Sequence, residues 1–352
     1  MSERMTINYD KKPCYDILFT ASFEDLPEEL LKLDSKDRKV CIITDSHVES
    51  LYGTEFLDRI TPFCLKAVMY AFPAGEENKT LDTVRDIYRF LIEEKFNRKD
   101  LLIALGGGVT GDITGYAAAT YLRGVDFIQI PTTLLAQCDS SIGGKTGVDF
   151  EGYKNMVGAF YMPKLVYMNV SVLGTLDDRQ FYGGFAEVMK HGLIKDSNFY
   201  EWLLDKMYEI HERNPETMLE MVQKSCLIKK LVVEKDPTEK GDRALLNFGH
   251  TIGHAIESIY HLHDYYHGEC VANGMIMIEE NEQIRHDLIE ILKKMNIPFV
   301  TSLDCEECIR FIKNDKKAKG NEIDIVKVNE LGKAFIEKVK IDDLRQYIRR
   351  SL

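Results

Sequence analysis

The chain has little of what marks the more specialised classes of protein. It has 8 cysteines in 352 residues, and Cys14, Cys41, Cys64, Cys138, Cys226 and Cys270 stand singly, mostly among apolar neighbours. Free thiols in such settings behave as small buried hydrophobes, which argues against a disulfide framework. The other two form Cys305-Glu-Glu-Cys308, a single CxxC with no second pair and too little for a structural zinc site. Apolar runs are short, because glycines and polar residues interrupt 101–122, so no membrane span is expected. The first twelve residues are polar and lack the apolar centre of a signal peptide, which points to a cytoplasmic location. Repeats at solenoid periods and low-complexity tracts are missing as well. Positive charge is in deficit, with 45 Lys+Arg against 57 Asp+Glu and a net charge of −12. That balance speaks against a nucleic-acid partner and against docking on an anionic membrane, while leaving room for a local basic pocket.

What is present is an ordinary globular composition, 45% hydrophobic and 29% charged, in a chain long enough for two domains. The first half alternates strand-like runs (39–44, 101–105 and 125–130) with helical patterns such as 81–95. Strands separated by helices predict a parallel α/β sheet with its ligand at the strand carboxyl ends. Beyond about residue 180 the pattern turns helical, over 181–194, 215–233, 244–260, 270–285 and 287–295, with a short strand at 323–328 after a basic loop at 313–320. The expected division is an α/β domain over 1–178 and a mostly α-helical domain over 179–352.

Three groups of residues could carry chemistry. Gly106-Gly-Gly-Val-Thr-Gly111 satisfies GxGxxG after a strand and before a helical run, where glycines permit close backbone approach to a pyrophosphate. It does not lie on the first strand, as the usual fingerprint does. Asp126 holds the offset expected of a ribose carboxylate but sits inside a strand-like run. Asp45, at the end of an earlier strand, is the better candidate. The second group is His250-Thr-Ile-Gly-His254, two histidines on one helical face, with His267 further on and Glu187 on an earlier helix. Thr251 stands where a zinc peptidase of the HExxH type needs glutamate. One carboxylate and two imidazoles would leave a metal the open coordination positions of a catalytic site. The third group, Lys145, Lys154, Asn155, Lys190, Lys229, Arg243 and Asn247, suits a substrate bearing phosphate and carboxylate.

These stretches strongly resemble the 3-dehydroquinate synthase family. The resemblance runs from Gly106-Gly-Gly-Val-Thr-Gly-Asp112 through Ile130-Pro-Thr-Thr-Leu-Leu-Ala-Gln-Cys-Asp-Ser-Ser-Ile-Gly-Gly-Lys145 and Lys154-Asn155. It continues through Gly184-Phe-Ala-Glu-Val-Met-Lys190 and Arg243-Ala-Leu-Leu-Asn-Phe-Gly-His-Thr-Ile-Gly-His-Ala-Ile-Glu257 to His267-Gly-Glu269. It covers nearly the whole chain and is densest over 100–275.

The resemblance implies a Rossmann-like NAD-binding domain followed by a helical metal-binding domain, with NAD and a divalent metal (zinc, or cobalt) between them, in a homodimer. Carried onto this chain, the metal ligands would be Glu187, His250 and His267, with His254 turned to the substrate as a hydrogen-bonding or proton-transfer group. NAD would meet Asp45, Glu76, Lys79, Gly107, Gly108, Asp112, Thr132 and Thr133, with Asp139, Lys145 and Lys154 beside it. Arg123, Lys145, Lys154, Asn155, Lys190, Lys229, Arg243, Asn247 and His254 would surround the substrate, and Lys316 or Lys317 would close on its phosphate.

The implied reaction is that of a carbon–oxygen lyase in the shikimate pathway. It turns 3-deoxy-D-arabino-heptulosonate 7-phosphate into 3-dehydroquinate and phosphate by transient oxidation, elimination of phosphate, re-reduction and intramolecular aldol closure. The rival readings are a sister sugar-phosphate cyclase, such as a 2-deoxy-scyllo-inosose or 2-epi-5-epi-valiolone synthase, a simple metal-dependent alcohol dehydrogenase that would release NADH stoichiometrically, or a binding or structural protein descended from such an enzyme.

Overall fold

In Lys39–Asp45 the side chains of Val40 and Ile42 enter one apolar cluster and those of Cys41 and Ile43 another. Leu101–Gly106 divides in the same way, with Leu101, Ile103 and Leu105 on one side and Leu102 on the other. Strands buried on both faces belong inside a parallel sheet covered by helices on each side. The computed structural model, which describes residues 3–237, 241–260, 264–313 and 320–350, has this arrangement in its first half. Contacts divide the chain into two units, Met1–Leu176 with Met218–Gln223, and Asp177–Thr217 with Lys224–Leu352.

The first unit contains β1 (Glu3–Tyr9), β2 (Lys12–Thr20), β3 (Lys39–Asp45), β4 (Lys66–Phe72), β5 (Leu101–Gly106), β6 (Asp126–Pro131), β7 (Lys145–Phe150), β8 (Tyr153–Phe160) and β9 (Leu165–Asn169). Seven of these form one sheet in the order β1-β2-β9-β6-β5-β3-β4, while β7 and β8 pair separately as a hairpin. Within the seven, β1 and β2 are antiparallel and every other neighbouring pair is parallel. The helices α1 (Leu81–Glu93) and α2 (Gly108–Thr120) belong to the same unit. From β3 the chain moves outward to β4 and then returns on the other side of β3 as β5. The carboxyl ends of β3 and β5 therefore flank a topological switch point, where open α/β sheets bind ligands. Asp45 and Gly106 are its two rims.

The helices of nine residues or more in the second half are α3 (Asp178–Lys195), α4 (Ser197–Asp205), α5 (Pro215–Lys235), α6 (His250–Ile259), α7 (His267–Ile278), α8 (Glu282–Lys294) and α9 (Cys305–Lys313). A hairpin of β10 (Glu322–Glu330) and β11 (Lys333–Lys340) accompanies them. Two expected helices are broken. The run over 244–260 starts as a short 3-10 segment, Asp242–Asn247, and turns at Gly249 with φ +78 before α6 begins. A Cβ there would lie 2.5 Å from Met275 Cγ and 2.6 Å from the Val271 carbonyl oxygen, so tertiary packing dictates this turn. The run over 270–285 breaks after Ile278, and Asn281 caps α8 by accepting from the backbone of Gln283 and Ile284. No glycine or proline marks that break. Among the described residues no helix is long and apolar enough to cross a membrane.

Candidate active site

The glycine turn is built as its letters suggest. β5 runs into Gly106-Gly107-Gly108, and no side chain caps α2, which leaves its first N–H groups for another acceptor. A Cβ would lie 2.4 Å from Thr110 Oγ1 at Gly106, 3.0 Å from Thr133 Cγ2 at Gly107 and 3.0 Å from Ser140 Oγ at Gly108. A side chain is too close at Gly106 and would push Thr133 and Ser140 aside at Gly107 and Gly108. Its wall is the segment after β6, tied down where the Thr132 N–H donates to the Gly106 carbonyl at 3.0 Å, and Asp139 follows in the Ala136–Ser140 turn. On the other rim, Asp45 accepts from the backbone of His47 and Val48 at 3.0 Å each and from the Thr110 hydroxyl at 3.3 Å. Asp126 begins β6 at the amino ends of the strands, away from the switch point, ion-paired with Arg38 at 3.0 Å and Lys164 at 3.3 Å. The carboxylate at the switch point is Asp45. Glycine cradle, uncapped helix and rim carboxylate together fit a dinucleotide.

A second cluster stands one turn into α2. Lys79, 5% exposed, meets Asp112 at 2.7 Å and Glu76 at 3.9 Å, and donates to Asn155 Oδ1 at 2.7 Å. Lys154 meets Glu76 at 3.4 Å, and Asp149 accepts from the Asn155 N–H at 2.7 Å. Burial alone would lower the Lys79 ammonium, but Asp112 and Glu76 outweigh it and hold the group well above the ordinary lysine value. Burial raises Asp112 and Asp149. Lys145 opens β7 with an exposed side chain, and its neighbour Thr146 packs against Gly115 of α2, where a Cβ would lie 2.3 Å from Thr146 Cγ2.

In the second unit, glycines let three helices approach backbone to backbone. A Cβ on Gly268 of α7 would lie 2.0 Å from the Gly183 carbonyl oxygen of α3, and one on Gly274 would lie 2.0 Å from that of Gly249. Close approach of α3, α6 and α7 brings Glu187, His250 and His267 together, each with a ligand atom within 4.8 Å of the others. His250 Nε2 lies 3.6 Å from Glu187 Oε1, and its Nδ1 lies 3.1 Å from the Phe248 carbonyl oxygen. The His254 ring lies 5.3 Å from that of His250 and 5.9 Å from that of His267. A second group, His254, Glu257 and His267, also has its ligand atoms within 4.8 Å of one another.

The state of the carboxylate separates the two groups as cation sites, since Glu257 is engaged with His267 Nδ1 at 3.2 Å. Glu187 is fully buried, and among the described residues neither of its oxygens accepts a hydrogen bond, although the Lys190 ammonium lies against Oε2. Lys190 balances one oxygen of this buried carboxylate, and a divalent cation held with two imidazoles would take up the other, which faces His250. One carboxylate and two imidazoles suit zinc or cobalt in an open site.

Two family descriptions match adjoining parts of the chain: 3-dehydroquinate synthase N-terminal over residues 69–183, and 3-dehydroquinate synthase C-terminal over 184–318. The 3-dehydroquinate synthase of Acetivibrio thermocellus is 46% identical over 299 residues, covering 82% of each chain. That of Ruminiclostridium cellulolyticum is 41% identical over 353 residues, covering 97% of each. The chain belongs to the 3-dehydroquinate synthase family. Two solved structures share the fold at lower identity. A 2-deoxy-scyllo-inosose synthase complexed with carbaglucose-6-phosphate, NAD+ and Co2+ has a TM-score of 0.84 at 24% identity, covering 99% of this chain and 100% of that one. A 2-epi-5-epi-valiolone synthase from Streptomyces hygroscopicus with NAD+ and Zn2+ has a TM-score of 0.86 at 22% identity, covering 98% of each.

The remaining residues expected from the 3-dehydroquinate synthase family fall unevenly. Lys190, Lys229 and Arg243 are buried to 1%, 5% and 3% exposure, unusual for cations, and Arg243 donates to the Pro237 carbonyl at 2.7 Å. Asn247 ends the 3-10 segment just before Gly249 and is partly buried. Arg123 is exposed just before β6, at the amino ends of the strands and opposite the glycine turn, so its own chain does not bring it to Asp45, Gly107 and Thr132. Lys316 and Lys317 lie outside the described residues.

Three contributors were not read from the sequence. Thr110 binds Asp45, Glu257 binds His267, and Arg179 grips Glu269 through Nε at 2.5 Å and Nη2 at 2.8 Å. Glu269 in turn accepts from the Tyr266 N–H at 2.7 Å and so fixes the entry to α7, where His267 stands first. The triplet His267-Gly-Glu269 was the available signal for that clamp.

Proposed function

We propose that this chain is a 3-dehydroquinate synthase in activity, converting 3-deoxy-D-arabino-heptulosonate 7-phosphate into 3-dehydroquinate and phosphate with bound NAD and zinc or cobalt. The observation that carries the reading is the convergence of Glu187, His250 and His267 in a chain that also keeps the Gly106–Gly108 cradle. When bound, NAD supplies a reversible hydride acceptor and the divalent cation supplies Lewis acidity toward a substrate hydroxyl.

The protein's own share is to hold and orient. Asp45 and the first turn of α2 bind the dinucleotide's ribose and pyrophosphate, and Thr132 and Thr133 form the wall beside them. Glu187, His250 and His267 hold the cation. Lys145, Lys154, Asn155, Lys190, Lys229, Arg243 and Asn247 bind the substrate's carboxylate, hydroxyls and phosphate. Lys190, Lys229 and Arg243 are the buried cations of this set, and an anionic substrate would add to the counter-charge that Glu187 already gives Lys190. Fixing one substrate conformer supplies several kcal/mol of the barrier lowering at least, on the order of what effective molarities allow. His254 stands beside the cation-binding imidazoles and moves a proton on the substrate. The departing phosphate takes the proton next to the transient ketone, so no further carboxylate base is required. A homodimer belongs to this reading, and Arg123 is the residue of the set left for a second copy to contribute.

The test is to incubate the protein with the heptulosonate phosphate and catalytic NAD and to follow phosphate and product together. Equal amounts of both, with no net NADH at 340 nm, are expected. Glucose 6-phosphate or sedoheptulose 7-phosphate as the better substrate would favour a sister cyclase, and stoichiometric NADH would favour a dehydrogenase. Lys145→Ala should reduce turnover on the order of 10²-fold or more, as loss of one electrostatic stabiliser does. It should leave folding and zinc content unchanged, and near-normal turnover would remove Lys145 from the mechanism.

A further inference from the structure

We propose that Glu257 is a positioning residue for His267: its carboxylate holds Nδ1 of the imidazole, so that Nε2 is the nitrogen offered to a divalent cation. The inference rests on the metal site proposed above at Glu187, His250 and His267. Glu257 lies on α6 seven residues after His250, on the face that also carries His254. It is 3% exposed, and its Oε1 lies 3.2 Å from His267 Nδ1.

A neutral imidazole has one donor nitrogen and one acceptor nitrogen, and the hydrogen bond made by one decides which lone pair the other presents. His250 meets the same requirement by another route. Its Nδ1 faces the Phe248 carbonyl at 3.1 Å, which leaves Nε2, the atom 3.6 Å from Glu187 Oε1. Both imidazoles are thus held through Nδ1, one by a backbone carbonyl and the other by a buried carboxylate. The carboxylate does more than orient. It raises the basicity of the opposite nitrogen, and a cation bound at that nitrogen strengthens the Nδ1–H donor in return.

Glu257 could instead be a ligand itself, since His254, Glu257 and His267 also lie within 4.8 Å of one another. The two carboxylates differ in what already occupies them. Glu187 has two buried oxygens that accept no hydrogen bond among the described residues, whereas Glu257 is engaged with His267. Glu187 has Lys190 against Oε2 but keeps Oε1 facing the His250 ring without a hydrogen bond among the described residues, as a ligand would, whereas Glu257 has the contact of a support.

The experiment is a zinc titration by chelator competition on the full-length wild type, Glu257→Gln, Glu187→Ala and His250→Ala, with melting of each metal-free protein and the visible spectrum of each cobalt form. Support for the proposal is a 10- to 100-fold weaker zinc affinity in Glu257→Gln, the range expected on losing such a partner. Stoichiometry should stay at one, the cobalt bands should shift, and the metal-free melting temperature should be unchanged. Wild-type affinity in Glu257→Gln overturns it. So does loss of the site as complete as in His250→Ala, which would make Glu257 a ligand. If Glu257→Gln does not fold, Glu257→Asp keeps the charge but withdraws it by one methylene and is read in the same way. Wild-type protein that binds no zinc, or Glu187→Ala and His250→Ala that bind as tightly as wild type, would refute the underlying metal site instead.

Discussion

The Lys79 cluster of the first unit and the Glu187 cluster of the second both bury charge, and they balance it in opposite ways. Lys79 is answered inside the protein by Asp112, Glu76 and Asn155, each within 4 Å. Glu187 has Lys190 against one oxygen, yet neither oxygen accepts a hydrogen bond among the described residues, and two imidazoles stand around it. A closed network holds a loop in place. An incomplete one, surrounded by ligand atoms, has its stability tied to what it binds.

The largest effect should come from breaking the incomplete side. Glu187→Ala should remove stoichiometric zinc, and turnover should fall on the order of 10³-fold, the upper end for loss of one electrostatic stabiliser. Metal analysis and phosphate release check this together, and retained zinc with lost turnover would mean that Glu187 is not a ligand. The closed side should respond in stability instead. Lys79→Met strands Asp112 beside Glu76 and should cost about 3–5 kcal/mol, the usual result of removing one partner of a buried pair. Urea unfolding measures it, and zinc stoichiometry should not change. A stability loss under about 1 kcal/mol would place the pair among surface ion pairs and dissolve the contrast.

Legibility differed between the two units for a physical reason. A strand buried on both faces announces itself as an unbroken apolar run, so 39–44, 101–105 and 125–130 lie within a residue or so of β3, β5 and β6. The β7–β8 hairpin was not readable. Its outer strand carries mostly exposed or half-buried side chains, and its glycines serve backbone contact, as where a Cβ on Gly158 would lie 2.3 Å from the Thr146 carbonyl oxygen. In the helical half the candidate ligand letters were plain, but spacing alone also paired His250 with His254. The nearness of Glu187 to His267 depends on α3 reaching α7 through Gly183 and Gly268, a contact between segments about 85 residues apart that no local period encodes. The turn at Gly249 was hidden for the same reason, because Met275 and Val271 impose it from another helix.

A third buried carboxylate sharpens the comparison further, with the smallest expected effect. Glu279, just after α7, is 1% exposed; its Oε1 accepts from the Asn281 N–H at 2.8 Å, and its Oε2 has no hydrogen-bond partner among the described residues. Among the described residues no histidine pair is grouped with it. Burial pushes its carboxyl up to about 7, with Glu280 adding to the rise and the backbone N–H groups of Asn281 and Glu280, then Lys327, opposing it. The ordinary value, 4.5, applies to the unfolded chain, so between about pH 4.5 and 7 the folded state holds the extra proton. This group's contribution is therefore fully present below that window and is lost as pH rises through 7, on the order of 3 kcal/mol in all. Glu279→Gln should be more stable than wild type at pH 8 and no more stable at pH 4.5, by urea unfolding at both. If the variant and the wild type differ equally at the two pH values, Glu279 does not titrate in this window, and an unfilled buried oxygen in this fold does not by itself signal a group waiting for a positive charge.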